Sequence, residues 1–280
     1  MNKNVKKILA YYNSLESRLG YKYVIWEAKH FGYYPSGKKT ISEKKAQELM
    51  RERIYKSLKF TPSSLVLDAG CGYGVVSCYL AKKYGPNIIG IDLNPRELQR
   101  ARERTEEIGL TNKVKFLEMD YSKTNFPDNH FDFIYTIEAF CHSQNYIKTL
   151  KEFYRILKSD GKLTIFDYSF ASTNLFSKED LRMHNIIIEK IATPTFKLIK
   201  HDEFPRTMQA VGFKNAKQQA ITKNIIPSIE RLYKLARWPY KIIKLFRLEA
   251  YFINTMVGVL WYELFTKDLM RYCIFTAEKP

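Results

Sequence analysis

The central part of the chain alternates short apolar runs with segments of helical periodicity. The apolar run Leu65 to Asp68 predicts a buried strand, and a glycine-rich turn separates it from a helix predicted from Val75 to Tyr84. This alternation then repeats, which is typical of a parallel sheet covered by helices on both faces. The further central elements predicted are strands at 88–92, 114–119, 131–137 and 163–168 and helices at 95–109 and 146–157.

The segments on either side of this centre are mostly helical in pattern. Residues 1–60 predict an N-terminal helical lid, and residues 61–280 predict one α/β domain with a Rossmann-like, seven-stranded, mostly parallel sheet. Helical insertions are expected at 170–200 and 225–268. Because such sheets bind ligands at the carboxyl ends of their strands, these additions could cover a ligand there. A helix at 202–211 and strands at 213–221 and 271–277 complete the prediction.

Composition narrows the class of protein. The chain has 280 residues, 45% of them apolar and 15% aromatic, which is enough for a large folded core. No apolar run reaches eighteen residues, and the basic start lacks a small-residue cleavage site, so we expect a cytoplasmic chain. The four cysteines show no C-x-x-C spacing, which argues against disulfides and against a metal site.

The formal net charge of +17 lies on the flanks of the chain. Residues 1–60 carry +9 and residues 171–280 carry +8, whereas the centre is neutral. An excess of this size suggests an anionic partner, such as a lipid headgroup or a nucleic acid, for the flanks alone.

The most informative motif is the turn after the first predicted strand. Gly70, Gly72 and Gly74 stand at positions i, i+2 and i+4, whereas a dinucleotide fingerprint has its third glycine at i+5, where this chain has Val75. Asp68, two residues before the first glycine, would repel a pyrophosphate but suits a ligand with an ammonium group. The alternative is that the glycines only make a tight turn between strand and helix.

With these residues in place, the segment 61–170, together with the last strand, resembles the class I S-adenosyl-L-methionine (SAM)-dependent methyltransferases. In that family an acid-x-Gly-x-Gly-x-Gly loop lies against the methionine part of the cofactor. The resemblance implies that SAM is the cofactor, that Asp92 accepts hydrogen bonds from the ribose hydroxyls, and that Asp120 and Tyr121 hold the adenine. Alternatively, Asp92 caps a helix at Asn94-Pro95 and Asp120 is an ordinary loop residue. The full set of cofactor-binding residues implied is Tyr33, Asp68, Gly70, Cys71, Gly72, Gly74, Asp92, Leu93, Asp120, Tyr121 and Ile137.

The loop after the fourth predicted strand, Glu138-Ala139-Phe140-Cys141-His142, supplies the candidate catalytic residues. It resembles the Glu-Ala-x-Cys-His loop of sterol methyltransferases and, more loosely, the loop of tocopherol-type enzymes, and it lacks the patterns of base-amino methyltransferases. His142 could deprotonate a hydroxyl acceptor, and Glu138 could stabilise a carbocation formed when an alkene is methylated. Alternatively, Glu138 only bonds the loop and His142 is structural. Upstream, the segment 30–34 resembles the aromatic segment that folds over the cofactor in lipid and natural-product enzymes.

The basic segment 223–247 interleaves apolar residues at roughly helical spacing, which predicts an amphipathic surface suited to an anionic membrane. We therefore expect a lipophilic acceptor of isoprenoid, prenylated or polyketide-like type, with carbon slightly favoured over oxygen or nitrogen as the methylated atom. One alternative is an RNA methyltransferase that stacks bases on Tyr233, Trp238 and Tyr240. Others are a solvated helix that only caps the pocket, and a non-catalytic SAM-binding partner protein.

Overall fold

The computed structural model describes residues 3–26, 28–249 and 251–280. In these ranges the chain forms ten α-helices and seven strands, with short π- and 3-10-helical turns between some of them. The helices are α1 (Lys3–Asn13), α2 (Leu15–Leu19), α3 (Glu43–Leu58), α4 (Val75–Tyr84), α5 (Pro95–Glu107), α6 (Tyr146–Ile156), α7 (Lys178–Lys190), α8 (Phe204–Val211), α9 (Thr222–Leu245) and α10 (Ile253–Thr266). The strands are β1 (Leu65–Ala69), β2 (Asn87–Asp92), β3 (Val114–Glu118), β4 (Phe131–Ile137), β5 (Leu157–Phe170), β6 (Lys214–Ala220) and β7 (Met270–Glu278).

The seven strands form one sheet in the order β3-β2-β1-β4-β5-β7-β6. The pairs β1–β2, β1–β4, β2–β3 and β4–β5 are parallel, which confirms the predicted mostly parallel sheet. The strand order reverses at β1, whose neighbours are β2 and β4. In open α/β sheets a ligand binds at the carboxyl ends of the strands beside such a reversal.

Strand β5 is longer than predicted. The sequence predicts a helix as far as residue 157 and a strand only from residue 163, but the strand begins at Leu157 and its pairing with β4 shifts between Phe131 and Phe133. Asp160 has a left-handed backbone (φ +59°), and its N–H donates to the carbonyl of Lys279 at 3.0 Å. Turn-forming residues therefore make an irregularity inside the strand, because a distant segment supplies hydrogen bonds that a local pattern does not reveal.

Helix α5 begins as predicted at Asn94-Pro95. The Asn94 side chain accepts a hydrogen bond from the N–H of Arg96 at 3.2 Å, and Pro95 occupies the first turn, where its missing N–H costs nothing. This cap fixes the turn that follows Asp92 at the end of β2.

The chain divides into two compact units. The first, which we call the sheet unit, contains residues 50–167, 202–219 and 273–280. Its core lies on β1, β2, β4 and β5, whose apolar side chains are buried: Val66, Leu67, Ile88, Ile134, Leu163 and Ile165.

The second, the helical unit, contains the described residues of 1–49, 168–201 and 220–272. Its centre is an aromatic cluster around Tyr168, whose ring centroid lies 5.2 Å from that of Trp261 and 5.4 Å from that of Phe196. Phe265 and Tyr272 complete the cluster at 6.4 and 5.3 Å from Tyr168. The predicted boundaries of lid and insertions stay predictions.

Three further findings limit the chemistry of the described residues. No helix among them is both long and apolar enough to cross a membrane. Nor do they contain a group of His, Cys, Asp or Glu side chains arranged to hold a metal ion. The four cysteines, all within the described residues, are buried and are not joined in disulfides.

Candidate functional site

The glycine-rich turn adopts the backbone conformation that its spacing predicts. Gly70, Gly72 and Gly74 all have positive φ angles, of +89°, +50° and +66°, which residues other than glycine rarely adopt. A Cβ at Gly74 would lie 2.5 Å from Cζ of Phe116, and a Cβ at Gly70 would collide with the Cβ of Ala139. The turn therefore needs glycine for its dihedral angles and for close packing.

Asp68 lies inside β1 and is almost fully buried, opposite Tyr135 of β4 in the sheet register. Its Oδ2 accepts hydrogen bonds from the hydroxyls of Ser77, at 2.5 Å, and Tyr135, at 2.7 Å. Burial raises the pKa of Asp68 to about 6, against the lowering by these two hydrogen bonds. Its Oδ1 is buried with no hydrogen-bond partner in the described part of the chain.

This second oxygen tests whether the residues fit SAM. A buried carboxylate oxygen without a partner is costly, and a charged donor at that position would remove the cost. The ammonium group of the methionine part of SAM is such a donor, whereas a pyrophosphate is not. The residues of the turn therefore fit the cofactor.

Asp92, at the end of β2, is held in place by backbone groups. Its Oδ2 accepts from the N–H of Gly72 at 2.9 Å, and its Oδ1 accepts from the N–H of Asn94 at 2.9 Å. Each oxygen keeps a second lone pair, so the carboxylate can also accept from ribose hydroxyls. Asp92 thus ties the glycine turn to the cap of α5, and its predicted contact with the ribose stays a prediction.

The loop after β3 reaches the loop after β4. Asp120 accepts a hydrogen bond from the N–H of Ser122 at 2.7 Å, and the Tyr121 hydroxyl donates to the carbonyl of Ala139 at 2.9 Å. Burial raises the pKa of Tyr121 well above its ordinary value, so this hydroxyl keeps its proton. Ala139 therefore contacts two segments that were predicted to bind the cofactor.

Glu138 follows β4 directly and has a left-handed backbone (φ +50°), which is uncommon outside glycine and is often found at functional sites. Its N–H donates to the carbonyl of Phe166 at 2.8 Å. Three residues later the N–H of Cys141 donates to the buried carboxylate of Asp167 at 2.9 Å. The segment from Glu138 to His142 is thus held by β5 at Glu138 and at Cys141.

Most of the predicted site residues come together in the sheet unit. Tyr33 is the exception, because it belongs to the helical unit, where its N–H donates to the carbonyl of Ala46 at 2.8 Å. Its role at the cofactor stays a prediction, and so do the individual cofactor contacts of the others. Those in the sheet unit are Asp68, Gly70, Cys71, Gly72, Gly74, Asp92, Leu93, Asp120, Tyr121, Ile137, Glu138 and His142.

Three residues that position this site were missed by the sequence analysis. Ser77 and Tyr135 hold Asp68, and Asp167 holds the Cys141 amide. Tyr135 and Asp167 are polar groups within otherwise apolar strands, and this position in the sequence could have marked them as candidate site residues. Ser77, in the first turn of α4, gave no comparable signal.

The strand order, the three left-handed glycines and the buried acid before them match the fold and cofactor turn of the class I SAM-dependent methyltransferases. A family model described as a methyltransferase domain matches residues 67–165 of this chain. These findings confirm the predicted fold, cofactor and enzyme class.

Several proteins resemble this chain in sequence or in fold. The chain is 28% identical to the S-adenosyl-L-methionine-dependent Diels-Alderase iccD of Talaromyces variabilis, over 98% of this chain and 95% of that one. It is 34% identical to the sterol 24-C-methyltransferase of Pneumocystis carinii over 57% of this chain, a match that spans 42% of that enzyme. Among solved structures, the cyclopropane synthase MmaA2 of Mycobacterium tuberculosis superposes with a TM-score of 0.80 at 16% identity, over 98% of each chain.

Replacing Gly70 with alanine is expected to lower the free energy of unfolding by about 1–3 kcal/mol, because the new Cβ meets Ala139 and the backbone is left-handed. In the double variant with Ala139→Gly, the loss of stability caused by the clash should disappear, and the loss caused by the left-handed backbone should remain. Urea denaturation measures both. Gly109→Ala is the matched control, since Gly109 has φ +70° and open space around it. An equal loss at Gly70 and Gly109 would show that the contact with Ala139 does not constrain the turn.

Proposed function

We propose that the protein transfers the methyl group of SAM to a lipophilic small molecule of isoprenoid, prenylated or polyketide-like type. Carbon is slightly favoured over oxygen or nitrogen as the acceptor atom. The observation that carries the proposal is the packing of the Glu138 to His142 segment against the cofactor turn, where Ala139 leaves no room for a side chain at Gly70.

Bound SAM supplies an electrophilic methyl group on a sulfonium with a good leaving group. The task of the chain is therefore to align the acceptor and exclude water, and alignment can contribute ~7 to 11 kcal/mol. A segment that carries a carboxylate and an imidazole beside the cofactor turn suits this task. Methylation of an alkene would leave a carbocation, which Glu138 would stabilise. His142 would then take the proton that this carbocation loses to form the product.

The aromatic content of the helical unit supports a lipophilic acceptor. Tyr168, Phe196 and Phe265 are buried in the core, but Trp261 beside them is only half-buried, and an accessible aromatic face can hold both unsaturated hydrocarbons and cations. In the same unit, burial lowers the pKa of His184 to about 4, so this histidine adds no positive charge at neutral pH.

Relatives support the same class of acceptor. By its name, the sterol 24-C-methyltransferase methylates a carbon atom of a sterol, which is an isoprenoid lipid. The segment from Glu138 to His142 resembles the loop of sterol methyltransferases in general. The match covers less than half of that enzyme, so sterol itself is not part of the proposal.

A second candidate function is a cycloaddition that uses the bound cofactor without consuming it. The relative named as a SAM-dependent Diels-Alderase matches this chain over nearly its whole length. In that reaction Glu138 and His142 would orient a polyene and polarise it, and no methyl group would leave the sulfonium.

One experiment separates the two functions. The protein is incubated with methyl-labelled SAM and with lipid and polar extracts of the source organism, and the label and masses are followed. Label in a lipid product, matched by adenosylhomocysteine, supports methyl transfer. Loss of a polyene without a gain in mass, with the cofactor intact, would contradict it and support cycloaddition. The Asp68→Asn variant is the control for dependence on the cofactor.

A further inference from the structure

We propose that the outward face of α9 and the turn after it form a docking surface for an anionic lipid bilayer. This surface is independent of the methyl acceptor and lies entirely in the helical unit. We call it the α9 face. It consists of an apolar stripe and a basic stripe, which are defined below.

The apolar stripe follows one side of the helix. Leu235, Trp238, Ile242 and Leu245 are spaced by three, four and three residues, so they share one side of the helix. Their exposed fractions are 54%, 61%, 61% and 76%. Phe246, the next residue, is 65% exposed and extends the stripe beyond the helix. Single exposed apolar residues are ordinary, but a contiguous stripe of large ones marks an interaction surface.

The opposite side of α9 is the one that packs in the unit. Ile229, Ala236 and Ile243 are buried there, and a Cβ at Gly258 of α10 would lie 3.3 Å from that of Ala236. The hydrophobic face needed for folding is therefore already covered. The apolar stripe is a second face, which folding of this chain does not use.

The basic stripe lies directly beside the apolar one. Residues 222–252 contain seven basic and two acidic residues. Trp238 carries two of the cations over its ring, with Lys241 Nζ at 4.3 Å and the Arg237 guanidinium at 5.7 Å from its centroid. Glu230 is 3.9 Å from Lys234, but both are exposed and such pairs are weak. The basic stripe consists of Lys234, Arg237, Lys241 and Lys244, all exposed and each one residue before a member of the apolar stripe.

This arrangement favours a bilayer over other anionic partners. Interfacial helices place an apolar side at the boundary between headgroups and acyl chains and basic side chains at the phosphates. Aliphatic Leu235, Ile242 and Leu245 offer nothing on which a base could stack, and the ring of Trp238 already carries Lys241 and Arg237. Tyr233, which could stack, already lies against Tyr262, with ring centroids 4.4 Å apart. A second copy of this face would bring two basic stripes together.

The test is cosedimentation of the purified chain, without cofactor or acceptor, with vesicles of phosphatidylcholine alone or mixed with phosphatidylglycerol. We expect binding to the mixed vesicles, weakened by high salt. The apolar variant (Leu235→Ser, Trp238→Ser, Ile242→Ser, Leu245→Ser) and the basic variant (Lys234→Gln, Arg237→Gln, Lys241→Gln, Lys244→Gln) should each bind at least roughly tenfold more weakly. A near-surface cation alone changes partitioning by about fivefold.

The matched control removes four exposed lysines elsewhere: Lys38→Gln, Lys39→Gln, Lys148→Gln and Lys151→Gln. It should bind vesicles as the wild type does. Equal losses in the control and the basic variant would overturn the proposal, since net charge alone would then explain binding. So would full binding by the apolar variant, a dimer in light scattering that the apolar variant abolishes, or RNA binding that outcompetes vesicles.

Adenosylhomocysteine binding, measured by calorimetry, should be the same in all these variants. Because the α9 face lies in the other unit, circular dichroism should also show the helical content of the wild type. The outcomes for docking and for methyl transfer are separate. A chain that methylates a lipid but ignores anionic vesicles overturns only the α9 face, and one that binds vesicles but consumes no SAM overturns only the proposed reaction.

Discussion

Asparagine at position 68 is expected to weaken the binding of adenosylhomocysteine by roughly 10- to 100-fold. Hydrogen bonds to charged groups contribute about 1.5–3 kcal/mol. Asp68 Oδ1 is a buried acceptor without a partner among the described residues, so a cationic donor of the ligand can bond to it. Isothermal titration calorimetry measures the change. Asp128→Asn, at an exposed carboxylate on the same unit, is the control and should bind normally. Unchanged affinity in Asp68→Asn would remove this carboxylate from the site.

The titration of Asp68 should also make the affinity for adenosylhomocysteine depend on pH. The folded-state pKa of Asp68, raised to about 6 by burial, means that lowering the pH from 7.5 to 5 protonates the carboxyl group in the free protein. An ammonium group prefers the ionised form, so affinity should fall by roughly tenfold over this range in the wild type. In Asp68→Asn this part of the pH dependence should disappear.

Lowering the pH should weaken cofactor binding through Asp68, but it should increase the contribution of Asp68 to folding stability. Because its folded-state pKa of about 6 lies above the ordinary value of 3.8, its favourable contribution to folding is complete below about pH 3.8 and is lost as the pH rises through 6. At pH 7.5 the free energy of unfolding of the cofactor-free Asp68→Asn protein should therefore equal that of the wild type or exceed it, by no more than about 3 kcal/mol. Lower stability together with weaker binding would indicate a structural role instead.

Alanine in place of His142 is expected to reduce turnover by roughly 100- to 10,000-fold while leaving adenosylhomocysteine binding intact, if the imidazole acts as the proton acceptor. The measurement is transfer of labelled methyl to the lipid product found with the extracts. His130→Ala, at a half-buried histidine elsewhere on the sheet unit, controls for loss of an imidazole. Normal turnover in His142→Ala would assign this residue to the loop structure alone.

The sequence predicted the parts of the site that depend on local chemistry. The glycine spacing anticipated three left-handed residues, and Asn94-Pro95 anticipated the cap of α5. Both follow from the dihedral angles and hydrogen bonds of neighbouring residues, so a local pattern carries them.

What the sequence did not predict depends on register between distant strands. Tyr135 meets Asp68 because β4 pairs with β1, and Asp167 meets the Cys141 amide because β5 pairs with β4. The irregularity at Asp160 depends on a hydrogen bond to Lys279 near the end of the chain. No window of neighbouring residues contains these partners.

The contact between Gly70 and Ala139 also limits how the acceptor specificity of this enzyme could be changed in the laboratory. A library that randomises the loop after β4 should hold position 139 at alanine or glycine, because any bulkier residue would push on the glycine-rich turn at Gly70. Phe140 and Cys141 are buried, and His142 is the proposed proton acceptor, so changes at these positions carry costs of their own. A search for new acceptors should therefore leave this loop intact and begin at other positions.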